Sequence, residues 1–346
     1  VLADLDPELH ITVITADPVD TERRHGVNAV GSFDMGGICG ALRRADLLIS
    51  GGGSLLQNVT SRRSLYYYMA IIVLAFLARR PVMLYAQGIG PIEGFWARTM
   101  MRLIGNGVRL ITVRDHGSLA ELEAMGIHRP KIVETADPVL AINPVAKDMG
   151  WQVLQWNGVT DDKPLVGISV REWKGWQRYK EAFAEAADRI AVELGANLVF
   201  LPMQYPEDVK TAETIAAMMK QEAIVLDGEF STAELLSLVG NMDLLIAIRL
   251  HALIFAGVMG VPLVGVSYDP KIDRFLDSIG ETPAAKLETI TADELMAEVR
   301  RKWQKRDTLC EKNAALLKEL RRRAFQNAEL AVGILRKGAP SLEKKN

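Results

Sequence analysis

Two residues set two apart, Arg249 and His251, offer the sharpest chemistry in this 346-residue sequence. On an extended chain they point to the same side. Arginine grips carboxylate or phosphate with a planar fork, and histidine is the side chain best suited to moving protons near neutral pH. His251 opens the run HALIFAGVMG, and a helix start there favours a neutral imidazole and nearby anions. Arg171 in VREW and Lys271 in SYDPK follow apolar runs in the same way. Arg171, Arg249 and Lys271 would therefore converge on a small polyanion, with His251 as acid or base. His10, His25, His116 and His128 read as loop or surface residues.

A second set is built on glycine. Gly51-Gly52-Gly53-Ser54 and Gln87-Gly88-Ile89-Gly90-Pro91 each follow a short apolar run, and Arg114-Asp115 follows a third. Glycine lets backbone turn sharply and approach a ligand, and free amides at a helix start attract anions. Neither loop is a dinucleotide fingerprint or a P-loop, because no Gly-Lys-Ser/Thr follows. No Gly-x-Ser-x-Gly elbow and no His–carboxylate cluster with metal spacing occur, so neither α/β-hydrolase chemistry nor a bound metal is expected.

These loops need elements to hold them. Short β-branched or continuously apolar runs at 11–15, 47–50, 82–87, 110–114 and 131–134 alternate with helical patterns near 36–44, 63–79, 95–105 and 116–125. The rhythm breaks across 141–163, where Pro144, Gly150 and Gly158 fall, and then resumes. Strands are expected at 165–170, 198–202, 224–226, 244–248 and 263–266. Helices are expected near 179–194, 206–220, 232–240, 252–259 and 272–279. Such alternation predicts doubly wound α/β domains with parallel sheets, and candidate sites fall at strand carboxyl ends.

Composition narrows the function. Hydrophobic residues at 49% and charged residues at 24% describe a globular chain, and a net charge of −2 gives no general pull on nucleic acid. Two cysteines, Cys39 and Cys310, exclude a disulfide framework and fit a reducing cytoplasm. Residues 1–9 lack the pattern of a signal peptide, and the 14-residue apolar run 65–78 is too short to span a bilayer. Residues 298–346 carry 14 Lys and Arg against 6 Asp and Glu, a surplus of +8 that leaves −10 for the rest. The ordinary reading is a solvated helix face packed back on the first domain. The sharper one is contact with an anionic membrane surface.

Taken in order, SGGGSLLQN (50–58), AQGIGPI (86–92), VRD (113–115), TADPVL (135–140), VGISVREW (166–173), IAIRLHALIFA (246–256) and GVSYDPKIDRF (265–275) resemble the polysaccharide pyruvyl transferases, in particular the CsaB type of bacterial cell walls. The resemblance implies two Rossmann-like domains in tandem, similar to the GT-B glycosyltransferases. It assigns 1–143 to an acceptor domain, 144–163 to a linker, 164–290 to a donor domain and 291–346 to a basic helical segment. It implies transfer of pyruvate from phosphoenolpyruvate to N-acetylmannosamine of a lipid-linked disaccharide diphosphate. The product would be a 4,6-ketal on secondary cell-wall polysaccharide, needed to anchor S-layer proteins. Phosphoenolpyruvate is the co-substrate and no other cofactor is expected. Arg171, Arg249 and Lys271 would bind this donor, and His251 would carry a proton. Gly52, Gly53, Ser54, Gln57, Gln87, Gly88 and Arg114 would bind the acceptor. The family's Gly-Asp-Glu loop after its first strand has no counterpart here, and the chain, starting at Val1, reads as truncated. The expected location is cytoplasmic, peripheral on the inner face of the membrane through 298–346. Two alternatives stay open: a nucleotide-sugar glycosyltransferase of the same fold, with Glu229 or Glu234 holding the ribose, and a non-catalytic saccharide-binding protein.

Overall fold

Every paired strand among the described residues runs parallel to its neighbour, the pattern that strand–helix–strand crossovers enforce. The computed structural model describes residues 1–58, 62–160 and 162–338, without the side chains of 62, 307, 309–312, 337 and 338. Cys310, Lys312 and Lys337 are among those side chains, and Lys344 and Lys345 also lie outside the described residues.

The chain divides into two units, and the first comprises Val1–Ala141 with the chain from Leu320 onward. Its elements are α1 (Leu2–Leu5), β1 (Thr12–Thr15), α2 (Pro18–His25), β2 (Asn28–Gly31), α3 (Met35–Arg44), β3 (Leu48–Ser50), α4 (Arg62–Leu77), β4 (Val82–Gln87), α5 (Phe95–Gly105), β5 (Leu110–Val113), α6 (His116–Ala124) and β6 (Lys131–Glu134). β1 pairs with β2, and β3 to β6 form a sheet in sequence order. That order, with right-handed crossovers, puts α4, α5 and α6 on one face. There Leu65, Met69 and Ile72 of α4, Met101 of α5 and Leu122 of α6 bury Leu84 and Ile111. Helix α2 and strand β2 were not expected. Their signals are local: Asp17 caps the Asp20 N–H at 3.0 Å, Pro18 fills the first helical position, and Gly26 ends the helix at φ +62°.

The second unit, Ile142–Glu319, holds α7 (Asp148–Trp156), β7 (Leu165–Ser169), α8 (Arg178–Leu194), β8 (Asn197–Phe200), α9 (Glu207–Ala216), β9 (Ile224–Val225), α10 (Thr232–Gly240), β10 (Leu244–Ala247), α11 (Leu250–Met259), β11 (Leu263–Gly265), α12 (Pro270–Ser278) and α13 (Ala292–Gln304). Its strand order is β11-β10-β7-β8-β9, so the order reverses between β7 and β10. Phe183 and Ile190 of α8 join Met296 and Val299 of α13 over Val166 and Ile168. The last helix, α14 (Arg306–Gly338), contains the division between the units. Its Ala331 packs on Met83 and Leu110 of the first unit's sheet, and buried Asn327 accepts a 2.8 Å bond from Thr135 and donates to the Ala136 carbonyl.

One expectation needs correction. Residues 144–163 are not a bare linker, because they include α7, which packs on α10 within the second unit. Gly150 marks a close approach there and not a break. Its N–H donates to Ser237 Oγ at 2.8 Å, and a Cβ would stand 2.4 Å from the Ser237 carbonyl carbon. Gly150→Ala should therefore cost about 1–3 kcal/mol by overpacking and lower the melting temperature. An unchanged thermal unfolding curve would rule out this contact between α7 and α10.

Among the described residues of the basic segment 298–346, several cations are paired within the chain. Arg300 makes a two-pronged pair with Glu193 at 2.8 and 2.6 Å, and Arg301 does the same with Glu298. Lys302 is buried against Glu281, and Arg323 pairs with Glu134 at 2.8 Å. Arg306 and Arg321 lie over the rings of Trp303 and Phe325. Burial pulls the Lys302 ammonium below its ordinary range, while Glu281 opposes that shift. Glu193, Glu281 and Glu134, which lie outside the segment, thus offset three of its eight surplus charges. No helix among the described residues is long and apolar enough to cross a membrane.

Candidate functional site

Three adjacent strands of the second unit end side by side, and each delivers an expected donor residue. Ser169 of β7 pairs in register with Ala247 of β10, and Ala247 with Gly265 of β11. Arg171 and Arg249 lie two residues beyond the first two of these. This is the point where the strand order reverses, and open α/β sheets bind ligands at such points. Arg171 reaches past the end of β10 to Tyr268: its Nη1 donates to the Tyr268 hydroxyl at 2.8 Å. The guanidinium carbon stands 5.3 Å from the Trp173 ring centre and 5.2 Å from that of Tyr268. Lys271 approaches the same Tyr268 ring at 5.3 Å, and its Nζ lies 3.5 Å from Asp269. The structure therefore gathers Arg171 and Lys271 about one aromatic ring, which holds both through cation–π attraction.

The loop bearing Arg171 is locked from below. The Tyr179 hydroxyl donates to the Arg171 carbonyl at 2.8 Å. Glu172 accepts from buried Lys180 at 2.7 Å and from the N–H groups of Trp173 and Gly175. Burial alone would raise the Glu172 carboxyl, but the Lys180 hydrogen bond and charge outweigh it and hold it below its ordinary range. The stabilisation from this tie is complete above the ordinary carboxylate pKa. It fades only as pH falls through the lowered folded value.

Arg249 is partly committed. Its Nη2 pairs with Asp208, which is 1% exposed, and donates to Gln204 at 3.1 Å. Asp208 in turn accepts from the Met203 and Gln204 N–H groups at 3.1 and 2.9 Å. The buried Nε groups of Arg171 and Arg249 both lack a hydrogen-bond partner. Such donors are rare in folded proteins, and here both stand at the strand-order reversal. Arg249 also occupies the N-cap of α11, and its own side chain does not cap the first-turn N–H groups. Those amides add anion-binding capacity at the same edge. His251 is an exposed residue of that first turn.

The first unit places its glycine loops at the carboxyl ends of β3 and β4. Gly53, at φ +108°, bridges to Gln87, and the Gly88 N–H donates to the Gly53 carbonyl at 2.8 Å. Gln87 and Arg114 behave differently from expectation. Gln87 is wholly buried and its Nε2 ties the carbonyls of Ser50 and Gly51. Arg114 is 7% exposed, pairs with Asp137 at 2.8 Å and donates to Ser54 Oγ at 3.1 Å. A Cβ on Gly88 would meet the Arg114 Nε at 2.5 Å, so the glycine exists to let this guanidinium pass. Both side chains tie the loops together, and Gln87 Oε1 is buried without a hydrogen-bond partner. Gly52, Gly53, Ser54 and Gln57 remain half-buried at the loop surface.

Tyr268, Trp173, Asp208 and Asp137 were not anticipated as members of the site. Trp173, Tyr268 and Asp137 stand inside quoted motifs, but the Asp208–Arg249 and Asp137–Arg114 pairs link residues 41 and 23 apart, which no local pattern announces. Glu234, considered for a ribose, instead caps α10 through a reciprocal bond with Ser231. Among the described residues no cluster of three or more His, Cys, Asp or Glu could hold a metal ion. A cavity of about 510 Å³ lined by Arg109, Arg129, Lys131 and Glu329 lies by the amino ends of β5 and β6, away from the glycine loops.

Solved structures share this architecture at low identity. S. aureus MnaA in complex with UDP superposes with a TM-score of 0.70 at 11% identity, covering 100% of this chain and 93% of that one. Anabaena HepE with UDP gives 0.62 at 12%, covering 92% and 89%. The UDP-GlcNAc 2-epimerase of Neisseria meningitidis bound to UDP-GlcNAc gives 0.63 at 12%, covering 94% and 91%. Likeness at this level establishes an α/β fold of GT-B type and nothing about ligands. Among curated proteins, the amylovoran biosynthesis protein AmsJ of Erwinia amylovora is 24% identical over 257 residues, 69% of this chain. The chain spans 60% of that relative's length. The profile of the polysaccharide pyruvyl transferases matches residues 1–270, a stretch that contains the glycine loops, Arg171, Arg249 and His251. The chain belongs to the polysaccharide pyruvyl transferase family.

Proposed function

We propose that the protein transfers pyruvate from phosphoenolpyruvate to the 4 and 6 hydroxyls of N-acetylmannosamine in a lipid-linked cell-wall polysaccharide precursor, forming the ketal to which S-layer proteins anchor. The reading is carried by the two buried, unpartnered Nε donors of Arg171 and Arg249 where the strand order reverses. Phosphoenolpyruvate offers a carboxylate and a phosphate, and this edge supplies two guanidinium groups, Lys271 and the amino end of α11. The chemistry balances without a cofactor. A proton adds to the methylene carbon, two sugar hydroxyls add in turn to the neighbouring carbon, and inorganic phosphate leaves. Of the two hydroxyl protons, one ends on the new methyl group and the other on phosphate. His251, in the exposed first turn of α11, serves one of these transfers. The loop surface Gly52–Ser54 with Gln57 is assigned to the acceptor.

The decisive experiment measures phosphate release from phosphoenolpyruvate with and without a lipid-diphosphate disaccharide ending in N-acetylmannosamine. Release that needs the acceptor, with pyruvate found on the sugar, is the expected result. Thermal stabilisation by a nucleotide-diphosphate sugar but not by phosphoenolpyruvate would instead favour a glycosyltransferase. Arg171→Lys keeps the charge but loses the fork and the planar contact with the Trp173 and Tyr268 rings. It should lower kcat/KM for phosphoenolpyruvate by about 10–150-fold, the equivalent of one charged hydrogen bond. A variant with unaltered donor kinetics would move the donor site elsewhere.

A further inference from the structure

Two neighbouring helices of the first unit share an outer face that the transfer reaction does not use. Helix α4 turns Leu65, Met69 and Ile72 inward, yet shows Tyr66, Val73 and Leu77 to solvent. These three fall seven and four residues apart and so line one stripe. Helix α5 repeats the arrangement, burying Ala97, Met101 and Ile104 while exposing Phe95, Trp96, Met100 and Leu103. Leu77, Phe95, Trp96 and Leu103 are 75%, 74%, 73% and 70% exposed. The two helices are in contact, so their stripes adjoin. Scattered exposed apolar residues need no explanation, but two adjoining stripes ending in aromatic rings do.

The charge on these segments is one-sided. Residues 62–80 and 95–109 contain seven arginines and no Asp, Glu or Lys. Arg63, Arg79 and Arg102 are exposed and make no ion pair among the described residues. An apolar face with aromatic residues, bordered by unopposed arginine, matches the physics of a helix lying in a membrane interface. A second copy of the chain fits poorly, because a two-fold contact would set one arginine-rich rim against another. The helices run antiparallel to the strands they follow, so Tyr66, Phe95 and Trp96 lie toward the carboxyl edge of the sheet, where the glycine loops are.

We propose that the outer face of α4 and α5 docks the protein on an anionic lipid bilayer. The rim binds headgroups, and Phe95, Trp96, Leu103 and Leu77 enter the boundary with the acyl chains. Docking of this kind needs no turnover, so it stands or falls independently of the transferase reading.

The test is co-sedimentation of the full chain with vesicles of equal parts phosphatidylglycerol and phosphatidylcholine, and with phosphatidylcholine alone. Binding should favour the anionic vesicles and weaken at high salt. Leu103→Glu and Leu77→Glu should each weaken it by about tenfold or more while leaving the melting temperature unchanged, because both side chains are exposed. Wild-type protein that binds neither vesicle, or variants that bind like wild type, would overturn the proposal. So would a wild-type dimer that Leu103→Glu dissociates in the absence of any vesicle binding, since the face would then belong to a second copy.

Discussion

His251→Ala should fold normally and lose about 10²–10⁴-fold in kcat, the usual worth of one positioned proton carrier. The fold should survive because His251 is exposed in the first turn of α11, while the buried face of that helix is formed by Ala252, Leu253, Ile254 and Phe255. The chemistry should not survive, because ketal formation moves two hydroxyl protons, one of them to carbon. Phosphoenolpyruvate should bind almost as before, since Arg171 and Lys271 are untouched and both are held at the Tyr268 side chain. KM for the donor should therefore change little while kcat collapses. His251→Gln, which keeps polarity without titrating near neutrality, should behave like the alanine variant. Near-normal kcat in either folded variant would remove His251 from the reaction. Equal losses in donor KM and kcat would make it a binding residue instead.

The fold was legible wherever a segment's own residues decide its structure. Strands such as β4, β7 and β10 are continuously apolar runs buried on both faces, and runs of that kind are readable without a partner. Helix α7 was missed because Gly150 and the flanking Pro144 and Gly158 look like punctuation, and only Ser237, 87 residues away, shows why Gly150 is needed. The site divides in the same way. Strand ends announce Arg171, Arg249 and Lys271, because ligands collect where parallel strands stop. The state of each side chain depends on distant partners. Arg114 looked like a ligand-facing cation, but Asp137 buries and neutralises it. The basic run 298–346 allows a packed face or a docking surface from sequence, and only the distant partners Glu193, Glu281 and Glu134 show that part of its charge is taken up. Conversely, the run 65–78 is apolar all round, yet α4 buries only one side of it.

Removing Arg249 should damage stability as well as catalysis, and two substitutions separate the effects. Arg249→Ala leaves the Asp208 carboxylate, 1% exposed, without its cation. Breaking a buried pair from one side costs about 3–5 kcal/mol. Here the low end is expected, about 3 kcal/mol, because the Met203 and Gln204 N–H groups still hold the same carboxylate. Urea unfolding should show that loss, and Asp208→Asn added to Arg249→Ala should recover part of it by removing the stranded charge. Arg249→Lys keeps a cation able to meet Asp208, so most of the stability should remain. It deletes the buried Nε donor, and an ammonium cannot remake a planar fork on a carboxylate or phosphate. Near-native unfolding with strongly reduced use of phosphoenolpyruvate is therefore the result expected of Arg249→Lys. Full activity in that variant would show that the orphaned Nε has no ligand to meet. Arg249 would then be a structural partner of Asp208 alone, and the donor site would rest on Arg171, Lys271 and the amides of α11.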